Sequence, residues 1–95
     1  MELQYFDGCT NWQHVDGLLR RLASELGFDL VRRRVRDATD AEALRFRGSP
    51  TILVEGRDPF GDDHAPIGLS CRIYSTPSGP AGSPTMEQLR SALRG

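Results

Sequence analysis

The apolar residues of this chain fall into short runs whose period changes several times, and each change is bounded by glycine, proline or aspartate. Leu3 to Phe6 is short, apolar and aromatic and stops at Asp7-Gly8, which predicts a buried first strand ending in a tight turn. From Trp12 the large apolar residues fall at Val15, Leu18, Leu19, Leu22 and Leu26, a helical spacing that puts one broad stripe against a core, with Gly27 as its stop. Phe28 to Asp37 mixes Leu30, Val31 and Val35 with Arg32, Arg33, Arg34 and Arg36, the pattern of an edge strand with a charged outer face. Thr39 to Phe46 predicts a short second helix, with Thr39 and Glu42 as its capping box. After the break at Gly48-Ser49-Pro50, the β-branched run Thr51 to Val54 predicts a third strand closed by Glu55-Gly56. Cys71 to Tyr74 predicts a fourth, which leaves Gly56 to Ser70 as an unusually long connection. A turn-rich stretch from Thr76 to Pro84 precedes Thr85-x-x-Gln88, which can cap a last helix bearing Met86, Leu89, Ala92 and Leu93.

The predicted order is therefore βαβαββα. A right-handed crossover pairs the first two strands in parallel, with the first helix across one face, and the last two strands form an antiparallel hairpin. With 95 residues, 38% hydrophobic and 26% charged, residues 1–95 fit one domain with one modest core and leave no room for a second.

Net charge changes the picture by exclusion. At −1 it offers no global surface for a polyanion, so small molecules or proteins are expected as partners rather than nucleic acid. All twelve basic residues are arginine, but they are scattered along the chain, as codon usage in a GC-rich genome would leave them. The first residues show no basic segment followed by an apolar stretch, and no window approaches the roughly 18 apolar residues of a bilayer span. A cytoplasmic monomer with no membrane partner and no cofactor is the expectation. Two cysteines, Cys9 and Cys71, are too few for a secreted disulfide scaffold and form no paired metal motif. Cys9-x4-His14 lacks a second close pair and His64 lies in an acidic loop, so no dedicated metal site is expected.

Asp7-Gly8-Cys9-Thr10-Asn11-Trp12 after the first strand and Gly48-Ser49-Pro50-Thr51 before the third resemble, in order and spacing, the landmarks of thioredoxin-fold proteins. The whole chain is also similar to a group of short bacterial thioredoxin-like proteins, some labelled alkylmercury lyases, which share Gly-Arg-Asp-Pro-Phe (Gly56 to Phe60) and Gly-Leu-Ser-Cys-Arg-Ile-Tyr (Gly68 to Tyr74). The resemblance implies a three-layer α/β sandwich with a four-stranded mixed sheet. It implies a cis Pro50 whose Ser49 backbone lies beside Cys9, able to pair with an extended peptide or a glutathione-like ligand. Trp12 stands where the usual second cysteine would be, so only the first cysteine's role carries over.

Cys9 is the candidate nucleophile, because a helix N-terminus stabilises a thiolate and lowers its pKa from about 8.5. Trp12 could pack in the core or wall a ligand cleft, and Ser49, Pro50 and Thr51 would orient the substrate. Cys71 lies about three residues back along the fourth strand, roughly 10 Å from Cys9 at strand rise, which makes it either a buried strand cysteine or a second thiol. Three functions remain open at this point. One is monothiol thiol–disulfide exchange through Cys9, completed by an external thiol. Another is a noncatalytic interaction module using the cleft beside Trp12 and the loop from Gly56 to Ser70. The last is organomercury or heavy-metal handling by Cys9 and Cys71, with Asp7 as proton donor.

Overall fold

The first strand is central to the architecture. In the computed structural model, which describes residues 1–61 and 66–93, the run around Leu3 forms β1 (Glu2–Tyr5). The chain then builds α1 (Asn11–Leu26), β2 (Val31–Arg34), α2 (Ala38–Leu44), β3 (Thr51–Leu53), β4 (Tyr74–Thr76), β5 (Gly79–Ala81) and α3 (Met86–Leu93). β1 pairs in parallel with β2 across the α1 crossover and antiparallel with β3, giving the order β2-β1-β3. The register sets Leu3 opposite Ile52 and Gln4 opposite Thr51.

Because successive strand residues point to opposite faces, that register divides the core in two. Leu3 and Ile52 pack with Val15, Leu19 and Leu22 of α1 and Leu89 of α3. Phe6, one residue beyond β1 and in phase with Gln4, meets Phe46 edge-on at 6.4 Å and belongs to a second cluster with Val35 and Ala41. The sheet is thus covered by α1 and α3 on one face and by α2 on the other.

α1 ends as its sequence predicts. Gly27 takes φ 75°, a left-handed conformation that glycine adopts without steric cost, and its N–H donates to the Ala23 carbonyl. The stripe on its inner face is one residue shorter than expected. Leu26 is 54% exposed, while Asp16 is buried, held by Arg32 and Arg20. At α2 the cap is Asp37 rather than Thr39: the Asp37 carboxylate accepts from the Asp40 N–H at 2.9 Å, and Asp40 in turn accepts from the Arg36 backbone and side chain. α3 carries the predicted reciprocal box, with Gln88 Oε1 accepting from the Thr85 N–H at 2.9 Å and Thr85 Oγ1 accepting from the Gln88 N–H at 3.1 Å.

The expected four-stranded mixed sheet is not formed by the described residues. Among the described residues there is a three-stranded sheet and a separate two-stranded one, in which β4 pairs with β5 across Pro77-Ser78. The fourth strand begins at Tyr74, not at Cys71, and its antiparallel partner is β5 rather than β3. β3 itself is turned sharply at Glu55-Gly56. Both residues have positive φ, and Val54 and Arg57 exchange backbone hydrogen bonds at 2.7 and 3.0 Å. The arginine-rich β2 is a fully exposed edge, with Arg32, Arg33 and Arg34 in ion pairs to Asp16, Glu2 and Asp7. Among the described residues no helix is long and apolar enough to cross a membrane.

Candidate functional site

Cys9 sits in the turn that leaves β1. Its N–H donates to the Phe6 carbonyl at 3.3 Å, and its side chain is buried two residues before the first residue of α1. Thr10 caps that helix without a side-chain hydrogen bond and no acidic residue occupies the first turn, so no carboxylate competes for the positive end of the helix.

Ser49 approaches the same point from the residues that lead into β3, at the same end of the sheet. It is fully buried, its hydroxyl accepts from the Phe6 N–H at 3.3 Å, and the Ser49–Pro50 peptide bond is cis. Thr51 donates its hydroxyl to the Gly48 carbonyl at 2.6 Å, closing the turn that delivers Ser49. Cys9 Sγ lies 3.7 Å from the Ser49 carbonyl oxygen. A disulfide sulfur has no proton to donate there, whereas the free thiol does.

The other occupant of this site is Cys71. Ser49 and Cys71 form an isolated parallel bridge, in which the Ser49 N–H donates to the Ser70 carbonyl at 2.8 Å and the Arg72 N–H donates to the Ser49 carbonyl at 2.9 Å. Cys9 and Cys71 are joined in a disulfide, their Cα atoms 5.7 Å apart. The expected separation of roughly 10 Å is therefore corrected, and with it the assignment of Cys71 to a buried strand. Cys71 is exposed, and it lies beside Ser49 because residues 70–72 run parallel to the cis-proline turn instead of extending the hairpin. Gly48 makes this approach possible. Its φ is 127°, and a Cβ there would stand 3.0–3.2 Å from the Cβ, Cα and N of Arg72.

Sequence reasoning missed the side chains gathered around Arg72, the residue after Cys71. Arg72 donates to both carboxylate oxygens of Asp58, at 2.6 and 3.4 Å, and to the Phe60 carbonyl. Its guanidinium lies 4.6 Å over the ring of Tyr74, which packs edge-on to Phe60 at 5.5 Å and donates its hydroxyl to the Pro50 carbonyl. Burial pushes the Tyr74 phenol well above its ordinary pKa, with Arg72 pulling it down and Asp58 adding to the rise. A signal was available. Asp58 and Phe60 lie in one of the two motifs quoted above and Arg72 and Tyr74 in the other, and these motifs meet in space.

The remaining candidates are placed as follows. Trp12 is in the first turn of α1, partly buried and stacked on Tyr5 at 4.1 Å, against the larger core cluster. Asp7 is engaged by Arg34 at 2.6 Å with both side chains more than half exposed. His14 is exposed on α1, and His64 lies outside the described residues. Among the described residues no group of three histidine, cysteine, aspartate or glutamate side chains could hold a metal ion.

No family model matches the chain, and neither the curated proteins nor the solved structures contain one significantly similar to it. The chemistry is therefore argued from the site alone. It joins two cysteines of unequal exposure, a helix N-terminus beside the buried one, and a backbone edge occupied by the chain's own residues 70–72.

Proposed function

We propose that this protein is a thioredoxin-like thiol–disulfide exchange protein that works through the Cys9–Cys71 pair. The observation that carries the reading is the convergence of the two cysteines, with Cys9 buried at the helix N-terminus and Cys71 exposed at the surface. Support for the fold comes from the parallel β1–β2 crossover, the antiparallel β3, helices on both faces and the cis bond at Pro50 beside the first cysteine.

Burial decides the direction of attack. An incoming thiolate, from glutathione or a protein cysteine, reaches the sulfur of Cys71, forms a mixed disulfide there, and breaks the bond to Cys9. Cys9 leaves as a thiolate beside the positive end of α1, which stabilises a leaving thiolate. A second external thiolate then attacks the mixed disulfide. The two donor thiols depart as their disulfide, and the protein holds two thiols. Run in reverse, the Cys9 thiolate returns to Cys71 as an internal resolving step. The first contact with substrate thus moves from Cys9, where it was expected, to Cys71, and Cys9 becomes the internal resolving thiol that a monothiol protein lacks.

The test is equilibration of the protein in glutathione buffers, followed by acid quenching, alkylation and peptide mass spectrometry. A reversible Cys9–Cys71 peptide pair, together with a Cys9 thiol in the reduced protein that alkylates with an apparent pKa below about 8.5, is the expected result. Two thiols that never pair would sink the reading.

The same convergence favours one second reading. In the reduced protein the two thiols are placed to capture a soft thiophilic cation together. Cleavage of an organomercurial would further require a proton donor, and Asp7 is committed to Arg34. Mercuric ion binding that protects both cysteines from alkylation at one ion per chain is the expected signature of this reading.

A further inference from the structure

Among the described residues, Arg72 makes an unusual number of directed contacts near the disulfide, and none of them passes through sulfur. Its side chain is only 9% exposed and Asp58, its fork partner, 23%. Its backbone N–H is bonded to the Ser49 carbonyl, its guanidinium to Asp58 and the Phe60 carbonyl, and its charged plane lies over Tyr74. Tyr74 returns the connection to the active turn through Pro50. A planar guanidinium held by two carboxylate oxygens and stacked on an aromatic ring is fixed in orientation as well as in place. One residue before it stands Cys71.

The geometry points to Arg72 as a positioning residue that clamps Cys71 against Cys9 whether or not the bond between them is formed. This inference rests on the exchange reading and deepens it. In the wild-type protein the clamp already meets the ordering cost of bringing residue 71 to the helix N-terminus. The disulfide then forms at high effective concentration. Without the clamp the oxidised protein is still tethered by its sulfurs, whereas in the reduced protein residues 70–72 are free to leave Ser49. The bond must then impose the order itself, and the balance moves toward the dithiol. Linkage requires the converse as well: the disulfide strengthens the clamp by the same factor.

The step measured is protein disulfide plus two glutathione going to protein dithiol plus glutathione disulfide. A residue that merely supported the fold would weaken both redox forms alike and leave this equilibrium constant unchanged. Arg72→Lys keeps the charge and loses the fork, and Asp58→Asn keeps the shape and loses the charge. Each should lower the effective concentration about tenfold, roughly the worth of one charged hydrogen bond, which for this two-electron couple is about 30 mV toward easier reduction. Cys71 in each reduced variant should also alkylate faster than in the reduced wild type. In the wild-type protein the Ser49 and Arg72 amides should stay protected from hydrogen exchange after reduction.

If both variants match the wild-type equilibrium within twofold while the wild type pairs reversibly, the clamp is refuted and the exchange reading survives. Loss of protection at both amides on reduction of the wild type refutes it too, without any variant having to fold. A wild-type protein that never pairs Cys9 with Cys71 overturns the exchange reading and the clamp with it.

Discussion

Removing the cross-link should cost this small domain a large share of its stability, and the two cysteines should differ in how it is lost. The Cys9–Cys71 bond joins positions separated by 62 residues. On the chain-entropy account, closing a loop of that size restricts the unfolded chain enough to stabilise the fold by about 4 kcal/mol. Domains of this length are typically stable by about 5–15 kcal/mol, so the reduced protein keeps a fold with little in reserve. Cys71→Ser isolates the cross-link, because residue 71 is exposed and its replacement leaves no cavity. Cys9→Ser adds a local cost. Cys9 is 3% exposed, and a hydroxyl in its place puts a polar group where the thiol packs, at about 1–2 kcal/mol more.

Urea unfolding followed by far-UV circular dichroism, with and without dithiothreitol, separates these effects. The oxidised wild type should exceed Cys71→Ser by about 4 kcal/mol, or roughly 15–30 °C in a thermal scan. It should also show the smaller denaturant slope, since a cross-linked unfolded chain exposes less surface. In dithiothreitol the wild type and Cys71→Ser should coincide, and Cys9→Ser should remain lower. Equal stability of oxidised wild type and Cys71→Ser, with equal slopes, would refute the argument, because the bond would then not constrain the unfolded chain.

Other perturbations probe the surroundings of the site. Ser49→Ala deprives the Phe6 N–H of its hydroxyl acceptor in a fully buried position, and should lower stability by about 1–3 kcal/mol in the same urea assay. Thr85→Ala opens the reciprocal box that starts α3 and should cost about 1 kcal/mol, read as a lower thermal midpoint. Ile52→Val removes one methyl from the centre of the larger core cluster and should cost about 1 kcal/mol. Tyr74 predicts an alkaline limit. Its folded pKa is raised above the ordinary value of 10.0, so the folded state holds the proton more tightly than the unfolded chain does. The stability this contributes is fully present below pH 10 and declines as pH rises past it, and Tyr74→Phe should flatten that decline between pH 10 and 11.

The parts legible in the sequence were those specified by neighbours in the chain. α1 could be read from the spacing of Val15, Leu19 and Leu22 and from Gly27, and α3 from Thr85 and Gln88 three residues apart, because these contacts are made within one or two helical turns. The same local logic misplaced the start of α2 by taking Thr39 as its cap. Asp37 and Thr39 are both competent caps, and Asp37 holds the position because Asp40 presents its N–H to it while binding Arg36 behind. Leu26 was misassigned as well. It has the right helical phase, but it falls in the last turn of α1 and is 54% exposed.

Distance across the site was not legible, because it was inferred along the chain. Treating Cys71 to Tyr74 as one strand fixed Cys71 three residues from the active end, and the arithmetic was sound for a strand. Two interactions at long range overturn it. Arg72 turns to Asp58, fourteen positions earlier, and the Ser49 backbone takes Ser70 and Arg72 as partners, leaving β4 to start two residues later and pair with β5. Both depend on Gly48, whose missing Cβ is the space through which Arg72 approaches. Gly48→Ala should therefore act at two sites at once. It strains a backbone held at φ 127° and pushes a methyl against Arg72, so the bridge to Ser49 should open and Cys71 should move away from Cys9. In glutathione buffers this variant should form less Cys9–Cys71 pair than the wild type, with total helix content by far-UV circular dichroism unchanged. A Gly48→Ala protein that folds and pairs its cysteines as the wild type does would show that the close approach of residues 70–72 is not what brings the two sulfurs together.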